Sequence, residues 1–464
     1  MKPILSIITL LTTIALSADK PNFIIIYTDD QGYGDLSCYG GTHVDTPRID
    51  QMANEGAKLS SFYMAAAVCT PSRAALMTGS YPERVDMSQI IISGSKKGLH
   101  PDEITVAEIL KSQGYATGIF GKWHLGDQPE FLPTRQGFDE FFGLPYSHDI
   151  HPSNPLNGVR FDLPPLPLLE GETVIEEDPD ADYLTQRFTQ RAMKFIEKNK
   201  DKPFFLYLPH PMPHVPAHAS PEFMKDVPEE VLTKLKEENG KIDYDTRRKI
   251  FRQCVREIDW SVGQILDTLK SHGLDENTMV LFTTDNGPVL GNAGPLKGAK
   301  GSFYEGGHRV PTVVRWPGKI PAGVDIAETM TGMDILPTFA KLAGAEVPTD
   351  RVIDGKDVSN VLQKGASTPH EAFFYYRARH LAAVRSGKWK LHLVKYGQKG
   401  KLIKDTPSLY NLDSDIGEKH DILADHPEIA ARLKQYADQF LVELEQNKRP
   451  SGLVENPVIL SLER

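Results

Sequence analysis

The chain has 464 residues, 40% hydrophobic and 25% charged, the proportions of a globular protein and not of a collagen-like, coiled-coil or disordered one. Its 62 acidic residues outnumber 52 lysines and arginines, for a formal net charge of −10. No overall positive field therefore attracts nucleic acid, and an anionic ligand would need cations gathered locally. Three cysteines, Cys38, Cys69 and Cys254, are too few for a disulfide framework; whether Cys38 and Cys254 pair stays open, and at least one thiol is left over.

At the amino end, Lys2 precedes an apolar run over 4–16 and the small residues Ser17-Ala18. That pattern predicts a secretory signal over residues 1–18, cleaved near Ser17/Ala18, because the run is well short of the ~20 residues a membrane span needs. The expectation is an exported protein, periplasmic or secreted, with no stable membrane anchor. Residues 22–27, β-branched and aromatic, predict a buried central strand ending in Thr28-Asp29-Asp30. Thr46-Pro47 predicts a helix start as N-cap and first residue, with Gly56 as its end. Thr70 predicts a cap for a helix that begins at Pro71. Cys69 would then lie just outside a helix amino terminus, where backbone N–H groups and the dipole favour an anion, with Arg73 in the first turn.

Further along, Thr105-Val106-Ala107-Glu108 predicts a capping box for a helix ending near Gly114. Segments 115–120, 203–208 and 278–283 predict three more strands, and 149–180, rich in proline and acid, a long surface loop. The composition shifts near 365–369. Beyond it come aromatic, alternating segments at 373–376 and 381–393, then a helix with Ile429, Leu433, Tyr436, Phe440 and Leu444 at helical spacing. Strand-length apolar runs alternating with amphipathic stretches predict an α/β fold, a large, mostly parallel sheet flanked by helices. The predicted organisation is a signal at 1–18, a catalytic domain at 19–365, and at 366–464 a smaller α+β unit with an antiparallel sheet and a terminal helix.

Polar residues gather where the strands end. The first strand runs into Asp29-Asp30, that near residue 280 into Asp285-Asn286-Gly287, that at 115–120 into Gly121-Lys122-Trp123-His124, and that at 203–208 into His210 and His214. Open α/β sheets bind ligands outside the carboxyl ends of their strands. A lone aspartate there reads as a turn or helix cap. Two acidic pairs, each directly after a buried strand, read as hard oxygen ligands for calcium or magnesium, since crowded carboxylates repel unless a cation neutralises them. Gly32-Tyr33-Gly34 is no dinucleotide fingerprint, because Ser37 occupies the third glycine position. His148, His151 and His210 read as loop or pocket residues without chemistry.

Cys69-Thr70-Pro71-Ser72-Arg73 with Thr78-Gly79 resembles the signature of the sulfatase family, in which the cysteine is oxidised to formylglycine. Gly114-Tyr115-Ala116-Thr117, continuing to Gly121-Lys122-Trp123-His124, resembles the second signature of that family. Asp29-Asp30, Asp285-Asn286-Gly287 and the run from Lys300 to Gly307 match its remaining elements in order. Leu144-Pro145-Tyr146-Ser147-His148-Asp149 looks closest to the branch of arylsulfatase A and N-acetylgalactosamine-6-sulfatase. Two departures stand out: Ser80, where the family often has arginine, and Phe120, where the second signature has a smaller residue.

The resemblance implies an alkaline-phosphatase-like fold and hydrolysis of sulfate esters, aryl sulfates in vitro and sulfated carbohydrates in nature. It implies that Cys69 becomes formylglycine through a sulfatase-maturating enzyme, and that the hydrated aldehyde attacks sulfur. The ion, Ca2+ or Mg2+, would be held by Asp29, Asp30, Asp285 and Asn286 with the modified Cys69. Arg73, Lys122 and Lys300 would supply positive charge to the sulfate. His214 with Lys300 would protonate the leaving oxygen, His124 would take the proton that expels sulfate, and Ser147 would donate a hydrogen bond to substrate. A phosphatase or phosphonate monoester hydrolase on the same superfamily fold, and a non-catalytic sulfated-glycan binder with Cys69 unmodified, are the alternatives.

Overall fold

The computed structural model describes residues 20–152, 163–237, 243–397 and 402–462; the expected signal at 1–18 lies outside them. Ten strands form the main sheet. In chain order they are β1 (Asn22–Thr28), β2 (Ala57–Leu59), β3 (Ala116–Lys122), β4 (Glu140–Leu144), β5 (Pro167–Glu170), β6 (Thr173–Glu177), β7 (Phe204–Pro209), β8 (Thr278–Thr284), β9 (Val313–Arg315) and β10 (Val324–Ile326). Their spatial order is β10-β2-β9-β8-β1-β7-β3-β4-β5-β6. The centre, β8-β1-β7-β3-β4, is parallel, while β9, β5 and β6 run antiparallel to their neighbours.

Every residue of β1 is buried, and alternation sorts its side chains between two cores. Phe23, Ile25 and Tyr27 pack on one face with residues such as Leu336 and Phe339, and Ile24 and Ile26 on the other with Ile258, Val262 and Ile265. The helices that cover the sheet and the smaller domain are, in chain order, α1 (Pro47–Glu55), α2 (Cys69–Thr78), α3 (Val106–Ser112), α4 (Leu184–Lys198), α5 (Tyr244–Ser271), α6 (Ile335–Ala343) and α7 (Pro427–Gln446). A separate antiparallel sheet of β11 (Phe373–Arg377), β12 (His380–Ser386), β13 (Trp389–Tyr396) and β14 (Leu402–Asn411) follows, and α7 packs Leu433 and Ala437 against its Val384, Leu391 and Leu409. Arg84, fully buried beyond α2, is held between Asp354 at 2.7 Å and Glu443 of α7 at 2.8 Å. Among the described residues no helix is long and apolar enough to cross a membrane.

Three expectations need correction. The segment expected as a surface loop over 149–180 contains the β5–β6 hairpin, with Leu168 and Leu169 fully buried; residues 153–162 lie outside the described ones. Edge strands tolerate proline and outward charge, so an edge hairpin and a polar loop have similar compositions. Thr46 does stand at the start of α1, but its hydroxyl faces Ser37 and Asp50 instead of capping. The helix after Val68 begins two residues earlier than expected, at Cys69, with the Ser72 N–H donating to the Val68 carbonyl at 3.2 Å. Thr70 is therefore inside the helix, and its hydroxyl accepts from the Ile91 N–H. The capping box at α3 is formed as expected, Glu108 N–H to Thr105 Oγ1 at 3.2 Å and Thr105 N–H to Glu108 Oε2 at 2.7 Å. All three cysteines are free thiols, and Cys254 donates to the His218 carbonyl.

Glu257 on α5 gives a pH-dependent stability. Its Oε2 accepts the Ser220 N–H at 3.0 Å, its Oε1 has no partner, and burial pushes the carboxyl up to about 7. Between the ordinary value of 4.5 and that figure the unfolded chain has ionised while the folded one has not, so stability falls as pH rises through this window. Glu257→Gln should be close to wild type in thermal midpoint near pH 4 and more stable at pH 8. An unchanged difference between the two pH values would contradict this.

Candidate active site

The parallel register of β1 on β8 pairs Thr28 with Thr284, so the residues that follow, Asp29-Asp30 and Asp285-Asn286, emerge side by side. All four are buried to within 1% of full enclosure. Asp30 lies in the left-handed region (φ 64°), which turns its N–H to Asp285 Oδ1 at 3.2 Å. Non-glycine residues rarely adopt this conformation and are held there by their surroundings. Gly287 is required for a different reason: a Cβ there would meet the Gly306 carbonyl oxygen at 1.7 Å. That close approach brings the loop carrying Lys300 against the end of β8.

Three cations from three parts of the chain face these carboxylates. One nitrogen of Arg73, one turn into α2, bridges Asp29 Oδ2 at 2.9 Å and Asp285 Oδ2 at 2.8 Å. Lys122, the last residue of β3, contacts Asp29, and Lys300 approaches Asp30 Oδ1 to 2.7 Å. Burial alone would raise Asp29, but Lys122, His214 and Arg73 hold it well below the usual carboxylate range. Burial and the neighbouring Asp29 instead push Asp285 up to about 6.

Two acceptor oxygens in this cluster have no donor. Asp29 Oδ1 and Asn286 Oδ1 are buried and without hydrogen bonds. The Asn286 amide nitrogen donates to Asp30 Oδ1 at 2.7 Å and to the Gly287 carbonyl at 2.9 Å, which fixes its oxygen as the free atom. Unpartnered buried acceptors are costly, and carboxylate and amide oxygens are the ligands that hard cations take. The residues present fit such an ion. Asp29, Asp30 and His214 offer ligand atoms all within 4.8 Å of one another. Arg73 joins Asp285 to this group, and the Asn286 amide is anchored on Asp30.

Cys69 is the first residue of α2 and is buried among Lys122, Lys300, Asp29 and Asp285, and burial pushes its thiol up although the lysines pull it down. A helix terminus beside cations ordinarily makes a reactive thiolate; here desolvation wins. His124, also left-handed (φ 64°), faces the Ile91 carbonyl through Nε2 at 2.8 Å, while its Nδ1 is buried and unpartnered. Burial, with Lys122 and Arg73 nearby, pushes His124 well below the usual histidine value, so it is neutral. The carbonyl fixes the proton on Nε2 and leaves Nδ1 as an acceptor. His214, after β7, is fixed the opposite way: Nδ1 lies 2.7 Å from the Val215 carbonyl, and Nε2 points at Asp30 Oδ2, 3.5 Å away. Ser147 is buried after β4, and two residues on, Asp149 lies 3.9 Å from His214 Nδ1.

The structure thus brings Asp29, Asp30, Cys69, Arg73, Lys122, Lys300, His214, Asp285 and Asn286 into one cluster, with His124 and Ser147 on adjoining strand ends. Sequence reasoning missed Asp149 as a neighbour of His214: burial would raise its carboxyl, but His214 and His148 hold it at about 2. Asp149 was visible only as the end of a motif. It also missed Arg449. At Ser80, where an arginine was expected, the hydroxyl accepts from Arg449 at 3.2 Å, and the same guanidinium pairs with Glu103 at 2.6 Å. A cation reaches the position from the far end of the chain, which no local pattern announces.

A family model described as Sulfatase matches residues 21–345, and one described as the C-terminal region of aryl-sulfatase matches 368–459. Arylsulfatase A of Homo sapiens is 36% identical over 462 residues, covering 90% of this chain and 87% of the relative. Steryl-sulfatase of Rattus norvegicus is 35% identical over 454 residues, covering 80% and 75%. The crystal structure of Ps i-CgsB in complex with k-i-k-neocarrahexaose superposes with a TM-score of 0.79 at 32% identity, covering 94% of this chain and 95% of the other. Sheet order, flanking helices and separate C-terminal sheet make the fold alkaline-phosphatase-like.

Proposed function

Since the chain belongs to the sulfatase family, in its arylsulfatase A-like part, and is a sulfuric ester hydrolase, we propose that it desulfates carbohydrates through a formylglycine made from Cys69 and a divalent cation. Asp29, Asp30, Asp285 and Asn286 would hold the ion, calcium or magnesium, within a catalytic domain over 19–365. When bound, the ion and the modified residue together supply a Lewis acid and an oxygen nucleophile. The observation that carries this reading is the single buried cluster of Cys69, three carboxylates and an amide with two orphaned acceptor oxygens, and three cations. Arg73, Lys122 and Lys300 balance Asp29, Asp30 and Asp285 in formal charge. A divalent ion added to that set leaves a net positive site that an anion completes, which suits a sulfate ester.

The chain's own groups then divide the work. Arg73 keeps Asp29 and Asp285 in place. Lys122 and Lys300 face the sulfate oxygens as fixed charges that need no reorganisation during the reaction, and Ser147 donates a hydrogen bond to the substrate. His214 acts in its doubly protonated form: Nδ1–H donates to the Val215 carbonyl, and Nε2–H passes its proton to the leaving oxygen, assisted by Lys300. His124, its Nε2 bound to the Ile91 carbonyl, receives at Nδ1 the proton whose loss releases sulfate. A carbohydrate ester as substrate is supported by the likeness to Ps i-CgsB, solved with an oligosaccharide. Export to the periplasm or outside the cell, and maturation by a formylglycine-generating enzyme, complete the reading.

The test is turnover of 4-nitrophenyl sulfate, 4-nitrophenyl phosphate and defined sulfated saccharides, with and without chelator, beside the mass of the Cys69 peptide. Sulfate release that requires the ion and the aldehyde is expected; faster phosphate than sulfate release would overturn the reading. The roles of the histidines are separable. His214→Ala should slow a sugar sulfate, whose alkoxide needs a proton, about 100-fold or more, and slow a nitrophenyl sulfate far less. Equal losses on both substrates would contradict the acid role.

A further inference from the structure

Beneath Lys300 lies a buried charged network in which the segment after Lys300, the chain leading toward Cys69 and the second sheet meet. Glu305, five residues after Lys300, is fully buried and accepts from Tyr63 at 2.6 Å, from Tyr375 at 2.8 Å and from Lys390 at 3.0 Å. Tyr63 precedes the segment that leads into Cys69, whereas Tyr375 and Lys390 belong to β11 and β13. Burial would raise Glu305, but Lys390, Arg385 and Arg309 hold it well below the usual carboxylate range.

Glu418, in the loop after β14, grips the same segment from the other side. Its Oε2 accepts the Glu305 N–H at 2.9 Å, its Oε1 takes Lys390 at 2.9 Å and His392 at 2.7 Å, and its carbonyl takes the Lys297 ammonium at 3.0 Å. Lys390 in turn donates to the Phe303 carbonyl at 3.1 Å. Glu418 is wholly buried and left-handed (φ 50°), a conformation that its surroundings must maintain. On the active-site side, the Gly301 N–H donates to the Ala67 carbonyl at 2.8 Å. Lys300 therefore stands on a strap, residues 297–305, pinned through Gly301 to the segment before Cys69 and to Glu418 and Lys390 at its two ends.

We propose that Glu418, acting with Lys390, is a positioning residue for Lys300: the second sheet sets where the Lys300 ammonium meets the sulfate. The proposal rests on the reading of Lys300 given above. A long amine on a surface loop has many rotamers and no fixed charge to offer, and displacing a catalytic group by about 1 Å costs as much as 100-fold in rate. The network restrains the strap's backbone at Phe303 and Glu305 and the side chain of Lys297, and so removes that freedom without touching the substrate.

The experiment is a double-mutant cycle on the mature enzyme, using a sugar sulfate, with thermal midpoint and hydrogen exchange of 297–305 recorded for each variant. Glu418→Gln should lower kcat by ~10- to 100-fold, raise exchange in the strap, and leave exchange in α2 unchanged. In a Lys300→Ala background it should cost less than threefold more. Losses that multiply in the double variant would show that Glu418 does not act through Lys300 and would overturn the proposal. So would wild-type kcat in Glu418→Gln. If Lys300→Ala itself keeps full activity, the role given to Lys300 fails first, a distinct result. Should Glu418→Gln not fold, Lys297→Met, which cuts the partly buried contact to the Glu418 carbonyl, enters the same cycle, and multiplicative losses or wild-type exchange in the strap overturn the proposal there too.

Discussion

Cys69→Ser, produced in a host that modifies only cysteine, should lose at least ~10⁴-fold in turnover of an aryl sulfate while keeping its fold, in line with removal of other covalent nucleophiles. The two side chains are nearly isosteric, and every residue of α2 is packed, so the helix has no reason to move. What changes is chemistry. A serine sulfated on its one oxygen has no second hydroxyl from which His124 could draw a proton, and sulfate stays attached. The unmodified thiol is no substitute, since burial pushes it up and keeps it protonated. Peptide mass spectrometry beside the rate assay checks the point. Full activity in protein whose Cys69 is quantitatively a thiol would move the mechanism to a thiol or water nucleophile.

Arg73→Met should be the most damaging change to stability as well as nearly abolishing activity. One guanidinium nitrogen serves Asp29 and Asp285 at once, and none of the three side chains has more than 1% exposure. Removing one partner of such a buried set leaves charge without compensation and costs about 3–5 kcal/mol. The pH dependence gives a second check. Asp29 is held below its ordinary value in the folded protein, so its contribution is present above the unfolded value and is lost as pH falls through the folded one. Arg73 supplies part of that depression, and the gap in thermal midpoint between wild type and variant should narrow in acid. Added calcium should restore part of the midpoint of Arg73→Met, because the ion neutralises the same oxygens, and none of the turnover. A gap that is small and constant with pH would mean that Lys122 alone compensates Asp29.

What was legible in the sequence was what local physics dictates. The hydrophobic run at 22–27 could only be a central strand, the Thr105–Glu108 box satisfied its own helix end, and two acidic pairs after buried strands implied adjacency before any register was known. The hairpin at 167–177 was hidden because edge strands need only one good face. The start of α2 was misjudged because a threonine before a proline is a good cap in isolation, whereas here Thr70 serves Ile91. The contacts made by Glu418 and Arg449 were beyond reach for a different reason. Glu418 meets Glu305 and Lys297, and Arg449 meets Ser80 and Glu103, across more than a hundred positions, and such pairings have no signal within any window of sequence.

The burial of α2 also has a consequence in time. The segment that follows it, 80–84, is closed by chain made last: Glu443 stands 359 positions after its partner Arg84, and Arg449 stands 369 after Ser80. At the ~5–20 residues per second of synthesis, roughly 20–75 s separate the emergence of Cys69 from that of Glu443 and Arg449. On the proposed maturation, a modifying enzyme would have that interval in which to reach Cys69 before these contacts form.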